Sequence, residues 1–154
     1  MLIKITLNGK VISEDISPDL LLLDFCRNHS CYSVKRGCDT SNCGLCTVWL
    51  DGKPVLSCTV LAARANGRKV TTLEGLQKEA KEFGEFLADE GGEQCGFCNP
   101  GFIMNVLAME RELENPTEED ILEYLSGNLC RCSGFISHMR AIQKWIAHKR
   151  GVQA

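Results

Sequence analysis

The sequence predicts an α+β chain in two parts: a small mixed sheet crossed by one helix, then a compact four-helix bundle. Three observations carry this reading. Up to residue 73, short alternating apolar runs are broken by Asn-Gly and Asp-Gly turns. From Glu74 onward the apolar residues recur at helical spacing. Eight of the ten cysteines fall into two groups of four, one in each part. A chain of 154 residues accommodates two small domains, and thin cores of that size often depend on a metal or covalent staple. The boundary is expected near residue 73, giving domains 1–73 and 74–154.

Residues 2–8 and 10–16 read as strands joined at Asn8-Gly9, a dipeptide suited to a tight hairpin. Ser17-Pro18 offers a helix N-cap and first-turn proline, predicting a helix to about Asn28 with Leu21, Leu22, Phe25 and Cys26 inward. Residues 47–50 and 54–57 flank Asp51-Gly52, a second hairpin signal, and 70–73 reads as a last strand. Beyond it, Leu76, Ala80, Phe83 and Leu87 share one helical face, as do Phe102, Ile103, Val106 and Leu107 on a helix over 100–113. Thr117-x-x-Asp120 opens a short helix through Tyr124 and Leu125. Ile136, Met139, Ile142, Trp145 and Ile146 mark a fourth helix, ended by Gly151.

The first cysteine group is Cys38-x4-Cys43-x2-Cys46, completed by Cys58. That loop spacing is the one found in plant-type [2Fe–2S] ferredoxins. The hairpin at Asp51-Gly52 returns the chain, so Cys58 is expected beside Cys46. Gly37 and Gly44 let backbone N–H groups approach the sulfurs. The second group joins Cys95-x2-Cys98 to Cys130-x-Cys132. Both of its pairs are expected at helix N-termini, with Asn99 and Ser133 as N-caps, where the dipole favours an anionic thiolate cluster. Four-cysteine zinc sites also use C-x2-C knuckles, so zinc is the alternative, more so for the second group than for the first.

The bulk numbers exclude other classes. Net charge is −3 and basic residues form no long run, so there is no nucleic-acid footprint. The N-terminal MLIKITLNGK alternates and holds no signal-peptide apolar run, and no stretch is long enough to cross a membrane. A soluble chain in the reducing cytoplasm is expected, where clustered thiols bind metal rather than form disulfides.

Three segments carry a family resemblance: Lys35-Arg36-Gly37-Cys38 through Cys43-Gly44-Leu45-Cys46-Thr47-Val48, Gln94-Cys95-Gly96-Phe97-Cys98-Asn99-Pro100-Gly101, and Gly127-Asn128-Leu129-Cys130-Arg131-Cys132-Ser133-Gly134-Phe135. With the strand pattern they cover nearly the whole chain. It resembles the small iron–sulfur subunit of the molybdenum hydroxylases, the group of xanthine dehydrogenases, aldehyde oxidases and carbon monoxide dehydrogenases. The resemblance implies a ferredoxin-like β-grasp domain followed by a four-helix bundle, with one [2Fe–2S] cluster in each. It implies that Cys95, Cys98, Cys130 and Cys132 hold the cluster nearer a molybdenum–pterin cofactor on a large partner subunit. Cys38, Cys43, Cys46 and Cys58 would hold the distal cluster, facing a FAD-binding subunit. Gln94 and Cys132 match positions that contact the pterin; Gln94 alternatively caps its own turn.

Implied function is electron transfer without a catalytic residue, in a complex acting on a purine such as xanthine or hypoxanthine. An aldehyde or carbon monoxide dehydrogenase complex and a free-standing two-cluster ferredoxin are the alternatives. Many members carry two glycines between the first two cysteines, where this chain has Asp39-Thr40-Ser41-Asn42. Cys26 is expected to be a buried thiol. Cys31 is expected to be more exposed and is given no role. His29, His138 and His148 read as solvated or capping residues, and Trp49 and Trp145 as packing residues.

Overall fold

In a computed structural model, which describes residues 1–151, β1 (Leu2–Leu7) and β2 (Lys10–Asp15) form an antiparallel hairpin. Asn8 and Gly9 both take positive φ at its turn, the geometry that matches strand twist in a two-residue hairpin. Alternation along β1 turns Ile3, Ile5 and Leu7 into the core while Leu2 and Lys4 face out. A second hairpin, β3 (Thr47–Leu50) with β4 (Lys53–Leu56), turns at Asp51-Gly52, again with φ positive at both. Between the hairpins lies β5 (Lys69–Thr71), parallel to β1 and antiparallel to β3. The strand order is β2-β1-β5-β3-β4.

Helix α1 (Leu22–Asn28) crosses this sheet and buries Leu22, Leu23, Phe25 and Cys26. It starts four residues later than the Ser17-Pro18 signal predicts. Leu21 bridges Leu61, the Leu22 N–H donates to the Val60 carbonyl at 2.7 Å, and the Ala62 N–H donates to Leu20 at 2.8 Å. This strand-like pairing with a distant segment holds Leu21 extended just before the helix, overriding the local cap. The strand predicted over 54–57 is shifted one residue earlier, to Lys53–Leu56, and the one predicted over 70–73 is shorter, Lys69–Thr71. Ser57–Thr59 and Leu73–Gly75 are single 3₁₀ turns.

Four helices follow: α2 (Gln77–Asp89), α3 (Asn99–Glu112), α4 (Glu118–Leu125) and α5 (Phe135–Lys149). The described residues therefore form a mixed sheet with five α-helices. The capping box at Thr117 and Asp120 forms as expected, and Gly151 follows α5 with φ 68°. The expected N-caps of α3 and α5 shift by one residue. Cys98 and Gly134 occupy those positions, so Asn99 lies inside the first turn and donates to Glu93 at 2.9 Å. The Ser133 hydroxyl is buried without a partner.

Apolar side chains gather into two cores, one running from Ile3 to Val70 and one holding α2–α5. Strand β3 serves both. Its alternation sends Val48 and Leu50 into the first core and Trp49 into the second, where the indole N–H donates to the Met104 carbonyl at 2.9 Å. Arg111 covers the same ring at 4.3 Å. Two sequence expectations fail here. Cys31 is buried, with the Asn8 amide directed at its sulfur at 3.5 Å. His138 is also buried, stacked on Phe102 at 4.3 Å, and donates from Nε2 to the Gly92 carbonyl at 2.8 Å. Burial holds its pKa below the ordinary histidine value. Among the described residues no helix is long and apolar enough to cross a membrane.

Candidate metal centres

The loop from Gly37 to Cys46 and the turn after β4 bring Cys38, Cys43, Cys46 and Cys58 around one pocket. The β3–β4 hairpin performs the return that its length predicts. Ser57 closes it, its N–H and hydroxyl both donating to the Cys46 carbonyl at 3.2 and 2.6 Å. Cys38 sits beside Cys43, and Cys46 beside Cys58. N–H groups of Asn42, Thr40 and Cys43 point at the Cys38 sulfur and draw its pKa down to about 6. Burial pushes Cys46 up to about 11, opposed by the Cys58 N–H. Burial also raises Cys43, against N–H donors from Leu45 and Gly37. A β-carbon on Gly37 would lie 2.6 Å from a Leu45 methyl and 3.2 Å from the Cys43 sulfur. That close approach explains the glycine.

The second group forms where the N-termini of α3 and α5 meet. Gly96, at φ 71°, turns the chain between Cys95 and Cys98, and the Phe97 N–H reaches back to the Cys95 sulfur at 3.5 Å. The sulfurs of Cys95 and Cys132 lie 3.6 Å apart, and Cys98 sits beside Cys130. Burial pushes Cys98 up to about 12. Burial acts the same way on Cys130, but N–H groups of Cys132, Gly134 and Ser133 outweigh it and its pKa falls. The free amides at the start of α5 thus favour an anionic sulfur here. Cys95 and Cys132 are exposed, as is Gln94 next to them.

The two cysteine groups are joined backbone to backbone. The Leu129 N–H donates to the Cys43 carbonyl at 3.0 Å, one residue before Cys130. Gly101 packs against Gly44 so closely that a β-carbon there would lie 2.3 Å from the Gly44 carbonyl oxygen. A polar chain runs alongside: Asn105 donates to Asn128 at 2.7 Å and to Thr47 at 3.4 Å, and Thr47 donates to the Gly44 carbonyl at 2.7 Å. Lys35 adds a bond to the Phe97 carbonyl at 3.1 Å. Asn128 stands in the Gly127–Phe135 segment with no role of its own assigned, and Asn105 belongs to no motif. The signal at Asn105 is an amide within the apolar run of α3.

All ten cysteines are free thiols. Among the described residues no group of three or more His, Cys, Asp or Glu side chains converges as a single-ion site. The sulfurs instead meet in twos within each four. This suits a dinuclear cluster, in which four thiolates are shared between two irons.

The profile of the 2Fe-2S iron-sulfur cluster binding domain matches residues 5–88, and that of the [2Fe-2S] binding domain matches residues 72–143. The chain is 42% identical over 137 residues to the xanthine dehydrogenase iron-sulfur-binding subunit of Escherichia coli O157:H7, covering 86% of each. It is 38% identical over 144 residues to the nicotinate dehydrogenase small FeS subunit of Eubacterium barkeri, covering 92% of each. Among solved structures, quinoline 2-oxidoreductase from Pseudomonas putida 86 superposes with a TM-score of 0.87 at 33% identity, over 99% of this chain and 98% of that one.

Proposed function

Because the chain belongs to the family of two-cluster iron–sulfur subunits of the molybdenum hydroxylases, an electron-transfer subunit without catalytic residues, we propose how its own residues carry electrons. Cys38, Cys43, Cys46 and Cys58 hold one [2Fe–2S] cluster, and Cys95, Cys98, Cys130 and Cys132 hold the other. The observation that carries this is the meeting of eight thiols in two fours, each fed by backbone N–H donors. The clusters supply one-electron redox chemistry; the chain supplies ligands, burial and hydrogen bonds. Residues 1–73 form the ferredoxin-like domain and 74–154 the helical one, read as a four-helix bundle. Two cores that meet at β3 support this division.

Exposure and family likeness support a direction. Cys95 and Cys132 face outward among exposed Phe97, Leu129, Phe135 and Ile136, an apolar surface suited to a protein partner. We place the large molybdopterin-binding subunit there, with Gln94 and Cys132 at the pterin. Electrons then pass through the Cys130–Leu129–Cys43 junction to the distal cluster and on to a FAD-binding subunit. We place the chain in the cytoplasm, a reducing compartment in which clustered cysteines bind metal and do not pair as disulfides.

For the substrate of the complex we take a purine, xanthine or hypoxanthine, supported by the likeness to the xanthine dehydrogenase iron-sulfur-binding subunit of Escherichia coli. The complex, purified with its partners and mixed anaerobically with hypoxanthine or xanthine, is expected to show reduced [2Fe–2S] signals by EPR within turnover time. Reduction by nicotinate, an aldehyde or carbon monoxide, with none by purines, would contradict the assignment.

A further inference from the structure

Ser41 takes a backbone conformation, φ 59°, that a glycine would adopt with less steric strain. It lies in the loop between Cys38 and Cys43, and its hydroxyl oxygen sits 3.7 Å from the Cys58 sulfur. With a free thiol either atom can donate. A metal-bound thiolate carries no proton, so the hydroxyl is then the donor.

The other three sulfurs of this group receive main-chain donors: Asn42, Thr40 and Cys43 at Cys38, Leu45 and Gly37 at Cys43, and Cys58 at Cys46. At Cys58 the donor is a side chain. It is therefore the one hydrogen bond of this set that a single substitution can delete without rebuilding the loop.

We propose that the Ser41 hydroxyl donates to the Cys58 sulfur and raises the reduction potential of the cluster held by Cys38, Cys43, Cys46 and Cys58. The inference rests on the ligand assignment above. An added electron increases negative charge on the sulfurs, so a donor hydrogen bond stabilises the reduced form more than the oxidised form. In a chain of two clusters, a higher potential at this one draws electrons away from the molybdenum side. Ser41 is thus a positioning and tuning residue, with no contact to substrate.

The test is an EPR-monitored potentiometric titration of both clusters in the purified complex carrying Ser41→Ala or Ser41→Gly. Both variants lose the hydroxyl, while only glycine relieves the backbone strain. The reduction equilibrium of this cluster is expected to move about tenfold towards the oxidised form in both, which is about 59 mV for one electron. The other cluster keeps its potential, and iron stays at about four per chain. Unchanged potentials at full iron content would overturn the proposal, as would equal shifts of both clusters. Loss of iron from both variants would overturn it too, making Ser41 a structural part of the loop. A wrong ligand assignment is distinguishable, because the unmodified complex would then contain about two irons per chain instead of four.

Discussion

Replacing Cys98 with alanine is expected to remove about two of four irons and one of two EPR signals, while the other cluster remains. Cys98 caps α3, and its sulfur lies beside Cys130. Burial holds the free thiol protonated, with a pKa pushed up to about 12, so only a bound metal keeps this sulfur as a thiolate at neutral pH. On the proposed ligand set three thiolates then remain for a cluster that needs four, and electron entry from the molybdenum side is expected to fail. Cys26 provides the contrast. It is fully buried on α1, its pKa is likewise pushed to about 12 by burial, and the thiol beside it is Cys31, which belongs to neither group. Cys26→Ala is expected to lower stability by about 1 kcal/mol through a small cavity and to leave the iron content unchanged. Equal iron loss in both variants would mean that the thiols act through the fold and not as ligands.

Gly101→Ala is expected to have the second large effect, on the contact between the cluster loops. The added β-carbon would lie 2.3 Å from the Gly44 carbonyl oxygen and 2.9 Å from the Leu45 α-carbon. Both neighbours are backbone, so no rotamer change relieves the clash, and α3 must move away from the first cysteine loop. Overpacking of this kind costs about 1–3 kcal/mol, which is a fall in Tm of roughly 3–10 °C for a chain of this size. The same displacement lengthens the Leu129–Cys43 hydrogen bond, so transfer between clusters should slow in the surviving folded protein. Gly84→Ala is the matched control. Gly84 lies inside α2 with nothing near its would-be β-carbon, and alanine there should stabilise by about 0.5–1 kcal/mol. Thermal melts of the two variants moving in opposite directions is the expected outcome.

Features governed by neighbouring residues were legible from the amino acids. The Asn8-Gly9 and Asp51-Gly52 turns and the Thr117 capping box each depend on a few adjacent positions, and each formed where expected. Apart from the meeting of the cysteines, contacts between distant segments were not legible. The start of α1 moved because residues 20–22 pair with 60–62. Asn99 lost its cap position because Cys98 already occupies it in helical geometry, leaving the amide free to bond Glu93. His138 carries no ligand spacing, and its buried place between Phe102 and Gly92 emerges only when α5 docks on α3. In the candidate site, spacing singled out the eight thiols proposed as ligands. The junction through Leu129, Cys43, Gly44 and Gly101, and the hydroxyl of Ser41 near Cys58, depend on how two loops from different parts of the chain meet.

That two separate cysteine groups each hold one [2Fe–2S] cluster is tested most directly by iron and acid-labile sulfide per chain on anaerobically purified protein, with EPR of the dithionite-reduced sample. Two-cluster ligation predicts about four iron and four sulfide with two distinguishable [2Fe–2S] signals. Bound zinc in place of iron, persisting after reconstitution with iron and sulfide, would contradict it.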